Sequence, residues 1–330
     1  MWYYRIKGDG IAISSRVRIA RNIKDYKFPH QMEKSESDKI YNMLEGILDN
    51  KQKLLKLKDM DNITLNSLVE RHLVSKEFIL NTNNRAVILN DDCTLSVMLN
   101  EEDHLRIQGF SFGNDIISAY KTAKEIEEKI GERLEYAKSC KFGYLTACPT
   151  NIGTGIRVSV MLHLPALTKL GYMSKLLSDA GTFGIAIRGL YGENTAAQGS
   201  IYQISNQRTM GLSDEEIISN VQKIVSSIIS QEKKARNMLE EDKLYLEDKI
   251  MRALGILRYA RRIDTREAEK NISLVRLGIE RNIIKDIDIN KVQKISVNMY
   301  PNMLKLELKE DMDEEKRDEM RAKYIREELK

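Results

Sequence analysis

The chain has 330 residues, 42% hydrophobic and 31% charged, and its 53 Lys and Arg against 49 Asp and Glu leave a formal charge of +4. That composition supplies core material for one large or two ordinary domains and excludes disordered, collagen-like and disulfide-stapled classes. A small basic excess admits an anionic ligand but does not mark a protein that coats nucleic acid. Cys93, Cys140 and Cys148 show no CxxC spacing and, with four histidines, build neither a zinc site nor a disulfide framework. No apolar run approaches the ~20 residues of a membrane-crossing helix, and the first ten residues are too polar for a signal peptide. The expectation is a cytoplasmic protein that works without membrane or nucleic acid.

Residues 38–57 carry Ile40, Leu44, Ile47, Leu48, Leu54 and Leu55 at largely helical spacing, which predicts one helix. Thr64 is placed to cap a short helix ending at Leu73. Strands are predicted at 85–89, 94–99 and 104–108, the first two forming a hairpin around Asn90-Asp-Asp-Cys93. Asn114 or Asp115 then opens a long helix reaching about Ala137. Further strands are predicted at 143–148, 156–163, 185–190 and 200–205, with Pro165 starting a short helix through Leu170. Strand follows strand without regular crossover helices, so the fold class is α+β, a mainly antiparallel sheet backed by helices.

After Gly211 the pattern becomes helical. Ser213 and Glu216 form a capping box before a long apolar-periodic run. Helices are expected near 243–262, after Asp264 or Thr265, after Asp288 and from Asp313 to Leu329, with Pro301 an interruption. The domains are therefore 1–232, mixed α and β, and 233–330, all-α.

No GxxxxGK[ST] loop, strand-linked GxGxxG or HExxH motif occurs, and Gly153-Thr-Gly155 alone is a turn. Arginine stands out instead. Arg16 and Arg18 are two apart and share one face of an extended strand, and Arg106 and Arg157 sit in strands among apolar neighbours. Arg188 precedes a glycine-bearing loop. Each taken alone is a surface or ion-pair residue, but a planar, permanently charged fork suits bidentate phosphate binding. If the five converge, they form an arginine basket in place of a phosphate loop, with magnesium held mainly by the nucleotide. Glu102, at the edge of the strand group, and Glu193, in the loop, could hold a cationic acceptor and take its proton.

The segments Ser14-Ser-Arg-Val-Arg18, Asn100-Glu-Glu-Asp-His-Leu-Arg106, Cys148-Pro-Thr-Asn-Ile-Gly-Thr-Gly155, Arg188-Gly-Leu-Tyr-Gly-Glu193 and Gly199-Ser-Ile-Tyr-Gln-Ile-Ser-Asn-Gln207 occur in fixed order. Together they resemble the guanidino kinases, and most closely the protein-arginine kinases of the McsB type. The resemblance implies ATP and Mg2+ as cofactors. It assigns the nucleotide to Ser14, Ser15, Arg16, Val17, Arg18, His72, Arg106, and to Arg157, Val158, Ser159, Val160 and Met161. The stretch Arg188, Gly189, Leu190, Tyr191, Gly192 and Glu193 would line the same site. Glu102 and Glu193 match the two carboxylates that embrace the acceptor guanidinium, and Cys148 matches a reactive cysteine beside it.

Small-metabolite guanidino kinases carry a helical domain before the Ser-Ser-Arg-Val-Arg motif, which here begins at residue 14. A protein arginine is therefore the expected acceptor, giving phosphoarginine that marks clients for Clp-type proteolysis and stress regulation. The competing readings are a small-guanidino kinase and a non-catalytic phosphoarginine-binding adaptor. Arg317-Asp318-Glu-Met-Arg321-Ala resembles an allosteric phosphoarginine motif with alanine in place of proline, and Arg317 and Arg321 lie one helical turn apart. The resemblance also implies a homodimer, an activator protein and a Clp-type protease as partners.

Overall fold

The computed structural model describes residues 1–6, 8, 10–189 and 198–330. Strand β1 (Ala12–Arg21) leads to helix α1 (Lys34–Glu45), strand β2 (Gln52–Lys56) and helices α2 (Asn62–Glu70) and α3 (Lys76–Ile79). Strands β3 (Ala86–Asn90), β4 (Leu95–Leu99) and β5 (Leu105–Phe112) precede helix α4 (Ile116–Gly131). Short strands β6 (Lys138–Ser139) and β7 (Gly143–Tyr144) are followed by β8 (Ile156–His163), helices α5 (Pro165–Lys169) and α6 (Met173–Thr182), and strands β9 (Ile185–Gly189) and β10 (Ile201–Asn206). Then come helices α7 (Asp214–Leu239), α8 (Lys243–Tyr259), α9 (Thr265–Glu280), α10 (Ile289–Asn298), α11 (Pro301–Leu308) and α12 (Glu314–Glu328).

Eight strands form one sheet in the order β2-β3-β4-β5-β1-β8-β10-β9. From β2 to β5 the pairing is antiparallel, and Leu54, Ile88, Val97 and Ile107 stand in one row across it. The class is therefore α+β with an antiparallel sheet and a helical C-terminal region, as the sequence suggests. Four local expectations need correction. The helix expected over 38–57 stops at Glu45, and Leu54 and Leu55 lie instead on edge strand β2, half-buried and exposed in turn. Five residues of two-fold alternation also satisfy a loose helical count. Asp61, not Thr64, caps α2 by accepting from Thr64 N at 2.9 Å. Pro301 starts α11 rather than interrupting a helix, because its missing N–H costs nothing in a first turn. The strand expected over 143–148 covers only Gly143–Tyr144.

The described residues divide into two compact units, each made of several chain segments. The first comprises Met1–Trp2, Ser15–Ser159 and Ser205–Gln222. Its helix α4 lies so close to β5 that a Cβ on Gly109 would come 2.0 Å from Ala119 O. Only glycine permits that approach, and Ala119 and Ala123 supply the small facing residues. A single buried side chain then braces three segments. Arg21 donates Nε to Glu127 Oε1 on α4 at 2.8 Å and Nη1 to Thr154 O at 2.8 Å, and its guanidinium lies 3.4 Å from the Tyr144 ring centre. Gly155, at φ +66°, lets the chain pass against Ala20, where a Cβ would lie 2.7 Å from the carbonyl oxygen. Gly153-Thr-Gly155 is thus a structural turn, as its composition suggests.

The second unit comprises Tyr3–Ser14, Val160–Ile204 and Lys223–Lys330. Its apolar core joins Ile250, Leu254 and Leu257 of α8 to Ile272 and Val275 of α9, Val292 and Ile295 of α10, and Ile325 of α12. Beside that core lies a buried ion cluster. Glu232 accepts from Arg236 Nε at 2.8 Å and from the Ala166 and Leu167 amides at 3.1 and 3.0 Å. Glu280 accepts from Arg236 Nη1 at 2.7 Å and from Arg276 Nε at 3.0 Å, while Arg276 Nη2 donates to Gly10 O at 2.7 Å. His163 Nε2 and Ser273 Oγ are 2.8 Å apart, and His163 Nδ1 lies 3.8 Å from Glu280 Oε2. Two buried arginines are matched by two buried carboxylates, so removing one member leaves an uncompensated charge in low dielectric.

Burial pushes the Glu280 carboxyl up, but His163, Arg276 and Arg236 outweigh it and hold the group down at about 2. Burial takes the His163 imidazole down to about 4. Both values are depressed, so their stabilisation is complete above the unfolded values and is lost on acidification. The His163 contribution should fade between pH 6.5 and about 4, and that of Glu280 between pH 4.5 and about 2. Denaturant unfolding should therefore show stability falling from neutral pH downward. At pH 7, Glu280→Ala should cost about 3–5 kcal/mol. A flat profile to pH 4 together with a change under ~0.5 kcal/mol would contradict this role.

Candidate active site

Alternation along β1 turns Val17 and Ile19 into the core and leaves Arg16 and Arg18 half-buried on the opposite face. Neighbouring strands β5 and β8 bring Arg106 and Arg157 beside them, so three adjoining strands deliver four guanidinium groups to one face. Arg16 Nε reaches Ser159 Oγ at 3.4 Å, and Arg157 Nη2 donates to Ser205 Oγ at 3.2 Å. The crowding has an electrostatic signature. Burial, then Arg106 and Arg157, pull the Arg16 guanidinium down to about 9. Burial, then Arg106, Arg16 and Arg157, also hold Arg18 well below its ordinary value, and its buried Nε has no hydrogen-bond partner among the described residues. Among the described residues a carboxylate opposes this charge: Glu101 pairs with Arg106 and also accepts from Ser75 Oγ.

His72 belongs to the same neighbourhood. Leu73 O accepts from Ser96 Oγ and Gln108 Nε2, both at 2.7 Å, which fastens the segment after α2 over β4 and β5. His72 enters that segment at φ +60°, and burial together with Arg16 takes its imidazole down to about 4. At neutral pH it is an uncharged ring near Arg16. Without the family resemblance, which assigns it to the nucleotide, His72 looks like an ordinary helix-end residue.

Glu102 is exposed in the turn joining β4 to β5, where Asn100 at φ +62° breaks the strand. Its neighbour Glu101 turns to Arg106 instead, a division of labour that three consecutive acidic residues do not reveal. Cys148 is half-buried at the start of the turn Pro149–Asn151, with Sγ 3.0 Å from Thr150 Oγ1. The remaining nucleotide-site expectations divide by strand face. Ser15 is buried with its hydroxyl donating to Gly113 O at 2.8 Å, and Val17 is fully buried. Val158 and Val160 are fully buried as well, so these four side chains serve the core and only their backbone is left for a ligand. Ser159 supports Arg16. Ser14, Met161, Arg188 and Gly189 belong to the second unit, where Ser14 is buried and Arg188 exposed. Leu190, Tyr191, Gly192 and Glu193 lie outside the described residues.

Also in the second unit, Arg317, Asp318 and Arg321 lie on α12. Arg321 is fully buried rather than solvent-facing. It donates Nε to Met299 O at 2.8 Å and Nη1 to Ile263 O at 2.9 Å, and pairs with Asp318. Arg321 Nη2 and Arg317 Nε remain buried without hydrogen-bond partners among the described residues, one helical turn apart.

Two family descriptions match the chain. Residues 33–235 match the ATP:guanido phosphotransferase C-terminal catalytic domain, and residues 243–330 match the protein-arginine kinase McsB C-terminal domain. A protein-arginine kinase from Clostridium acetobutylicum is 43% identical over 332 residues, covering 98% of each chain. One from Clostridium tetani is 41% identical over 324 residues, covering 97% of this chain and 95% of its own. Among solved structures, the duplicated taurocyamine kinase from Schistosoma mansoni with transition-state-analogue components aligns with a TM-score of 0.63 and 29% identity, over 70% of this chain and 35% of its own.

Like charges held half out of water without full compensation destabilise the empty site and reward a polyanion that enters it. Arg18→Met should raise the melting temperature of the ligand-free protein and weaken triphosphate binding by at least about tenfold, as read by calorimetric titration. An unchanged affinity together with a lower melting temperature would remove Arg18 from the site.

Proposed function

The chain belongs to the ATP:guanido phosphotransferase family, among its protein-arginine kinases, and from that premise we propose how its residues carry the γ-phosphoryl group of ATP to arginine side chains of other proteins. The observation behind this reading is the gathering of Arg16, Arg18, Arg106 and Arg157 on adjoining strands, with Arg18 Nε buried and lacking a hydrogen-bond partner among the described residues. A triphosphate supplies the spread negative charge that such a face requires. Among the described residues no three carboxylate, imidazole or thiol groups cluster to hold a metal. The nucleotide's own phosphates are expected to carry Mg2+, which would offset part of their charge.

An acceptor arginine has a pKa above ~12, so its nitrogen is protonated and must shed a proton as it attacks. Glu102, exposed beside the arginine face, takes that proton. Glu193 is assigned as the second carboxylate, gripping the other edge of the acceptor guanidinium. The N–P bond forms as the bond from the γ-phosphorus to its bridging oxygen breaks, and ADP leaves. Throughout, the arginine cluster opposes the charge spreading over the phosphoryl oxygens. Cys148 flanks the acceptor.

The same reading makes 1–232 the catalytic part and 233–330 a regulatory and dimerising part. The two unsatisfied nitrogens of Arg317 and Arg321 suit one phosphoryl group, which supports an allosteric phosphoarginine site on α12. Phosphoarginine then marks clients for a Clp-type protease under stress, an activator protein switches the kinase on, and the homodimer works in the cytoplasm.

Incubation with ATP, magnesium and an unfolded protein should place acid-labile phosphate on arginine, located by mass spectrometry. Glu102→Gln should lower that rate by about 100- to 10,000-fold while leaving ATP affinity nearly unchanged. Arg317→Ala should abolish any stimulation by added phosphoarginine. Phosphate on serine, threonine or tyrosine alone, or on free arginine but no protein, would overturn the reading.

A further inference from the structure

The turn that carries Glu102 is held by a buried side-chain network outside the reaction itself. Asn22 follows the last residue of β1 and is 2% exposed. Its Oδ1 accepts from His104 N at 2.9 Å, and its Nδ2 donates to Asp103 Oδ1 at 2.6 Å and Leu145 O at 3.0 Å. Asp103, 4% exposed, places the same Oδ1 where Ala147 N also donates, at 2.7 Å. His104, fully buried, accepts from Ile23 N through Nδ1 at 2.9 Å, which leaves Nε2 to donate to Lys27 O at 2.8 Å. Three stretches distant in sequence thus meet: the end of β1 beyond the arginines, the turn containing Glu102, and the segment entering Cys148.

The geometry points to Asn22 and Asp103 as positioning residues that fix the Glu102 backbone against the Cys148 segment, an inference that rests on the assignment of Glu102 as the base. Glu102 is bracketed on its C-terminal side by two consecutive anchored residues, so its Cα has little freedom although its side chain is exposed. The alternation of the turn explains the sorting: Glu101 reaches back to Arg106, Asp103 is buried on Asn22, and only Glu102 is presented outward. A carboxylate at 103 is the economical choice, because one acceptor-only oxygen takes two N–H donors. Proton transfer during attack needs the base within hydrogen-bond reach of the acceptor nitrogen, and displacement by ~1 Å costs on the order of 100-fold in rate. Among the described residues the network's hydrogen bonds go to none of Arg16, Arg18, Arg106 and Arg157, so its loss should be read in turnover rather than nucleotide binding.

Steady-state kinetics of Asp103→Ala, Asp103→Asn and Asn22→Ala test this, each with ATP affinity and melting temperature measured alongside. Asp103→Ala should lower kcat by about 100-fold with KM for ATP within about twofold. Asp103→Asn keeps an oxygen for both donors and should recover most of that loss. The double variant Asn22→Ala/Asp103→Ala should be no slower than the worse single variant, because the two act as one unit. Wild-type kcat in a folded Asp103→Ala would overturn the inference, as would parallel losses of kcat and ATP affinity that Asp103→Asn does not restore. Glu102→Gln separates the two levels: if it stays active, the assignment of Glu102 fails. If it is inactive while Asp103→Ala is fully active, the positioning role alone fails.

Discussion

Mutual repulsion among four guanidinium groups is the constraint around which the first unit is built. Arg16, Arg18, Arg106 and Arg157 press on one another across three adjoining strands, and among the described residues Glu101 offers a carboxylate in return, paired with Arg106. Such an arrangement persists only if the surrounding framework is stiff enough to hold it. The close seat of α4 on Gly109 and the Arg21 brace to Glu127, Thr154 and Tyr144 provide that stiffness on the strands that carry the arginines. A site organised in this way contributes nothing to stability when empty. On the proposed reading its electrostatic strain would become binding energy when a polyphosphate enters.

The same residue type serves opposite ends elsewhere. Arg21, Arg236 and Arg276 are buried but fully matched by carboxylates and carbonyl oxygens, and they tie segments together. Arg321 is intermediate, because two of its nitrogens bond backbone carbonyls or Asp318 and the third is left unsatisfied. Whether an arginine is structural or ligand-binding is therefore decided by the acceptors around it. Abundance and net charge are silent on that point, and a total of +4 conceals a face where cations are concentrated.

What sequence reveals follows from the range of the interactions involved. The two-residue spacing of Arg16 and Arg18 is local, so their shared face is legible, as are the capping box at Ser213 and the span of β8. Convergence with Arg106 and Arg157 depends on the order β5-β1-β8, which pairs strands far apart in the chain. Leu54 and Leu55 read as helix because a short edge strand leaves no distinct period. Glu101 and Glu102 are indistinguishable until Asn100 turns the chain and Arg106 captures the first. Arg321 stands in a Glu- and Lys-rich stretch, yet Ile263 and Met299 draw it inward through carbonyls that no side-chain pattern encodes. The family segments single out residues that local physics alone does not.

The central claim is that the arginine face exists to hold phosphate. Thermal unfolding with adenosine, AMP, ADP and ATP, at fixed magnesium and each at the same concentration, tests it most directly. Stabilisation should grow with the number of phosphates and shrink as salt is raised. Equal stabilisation by adenosine and ATP would contradict it.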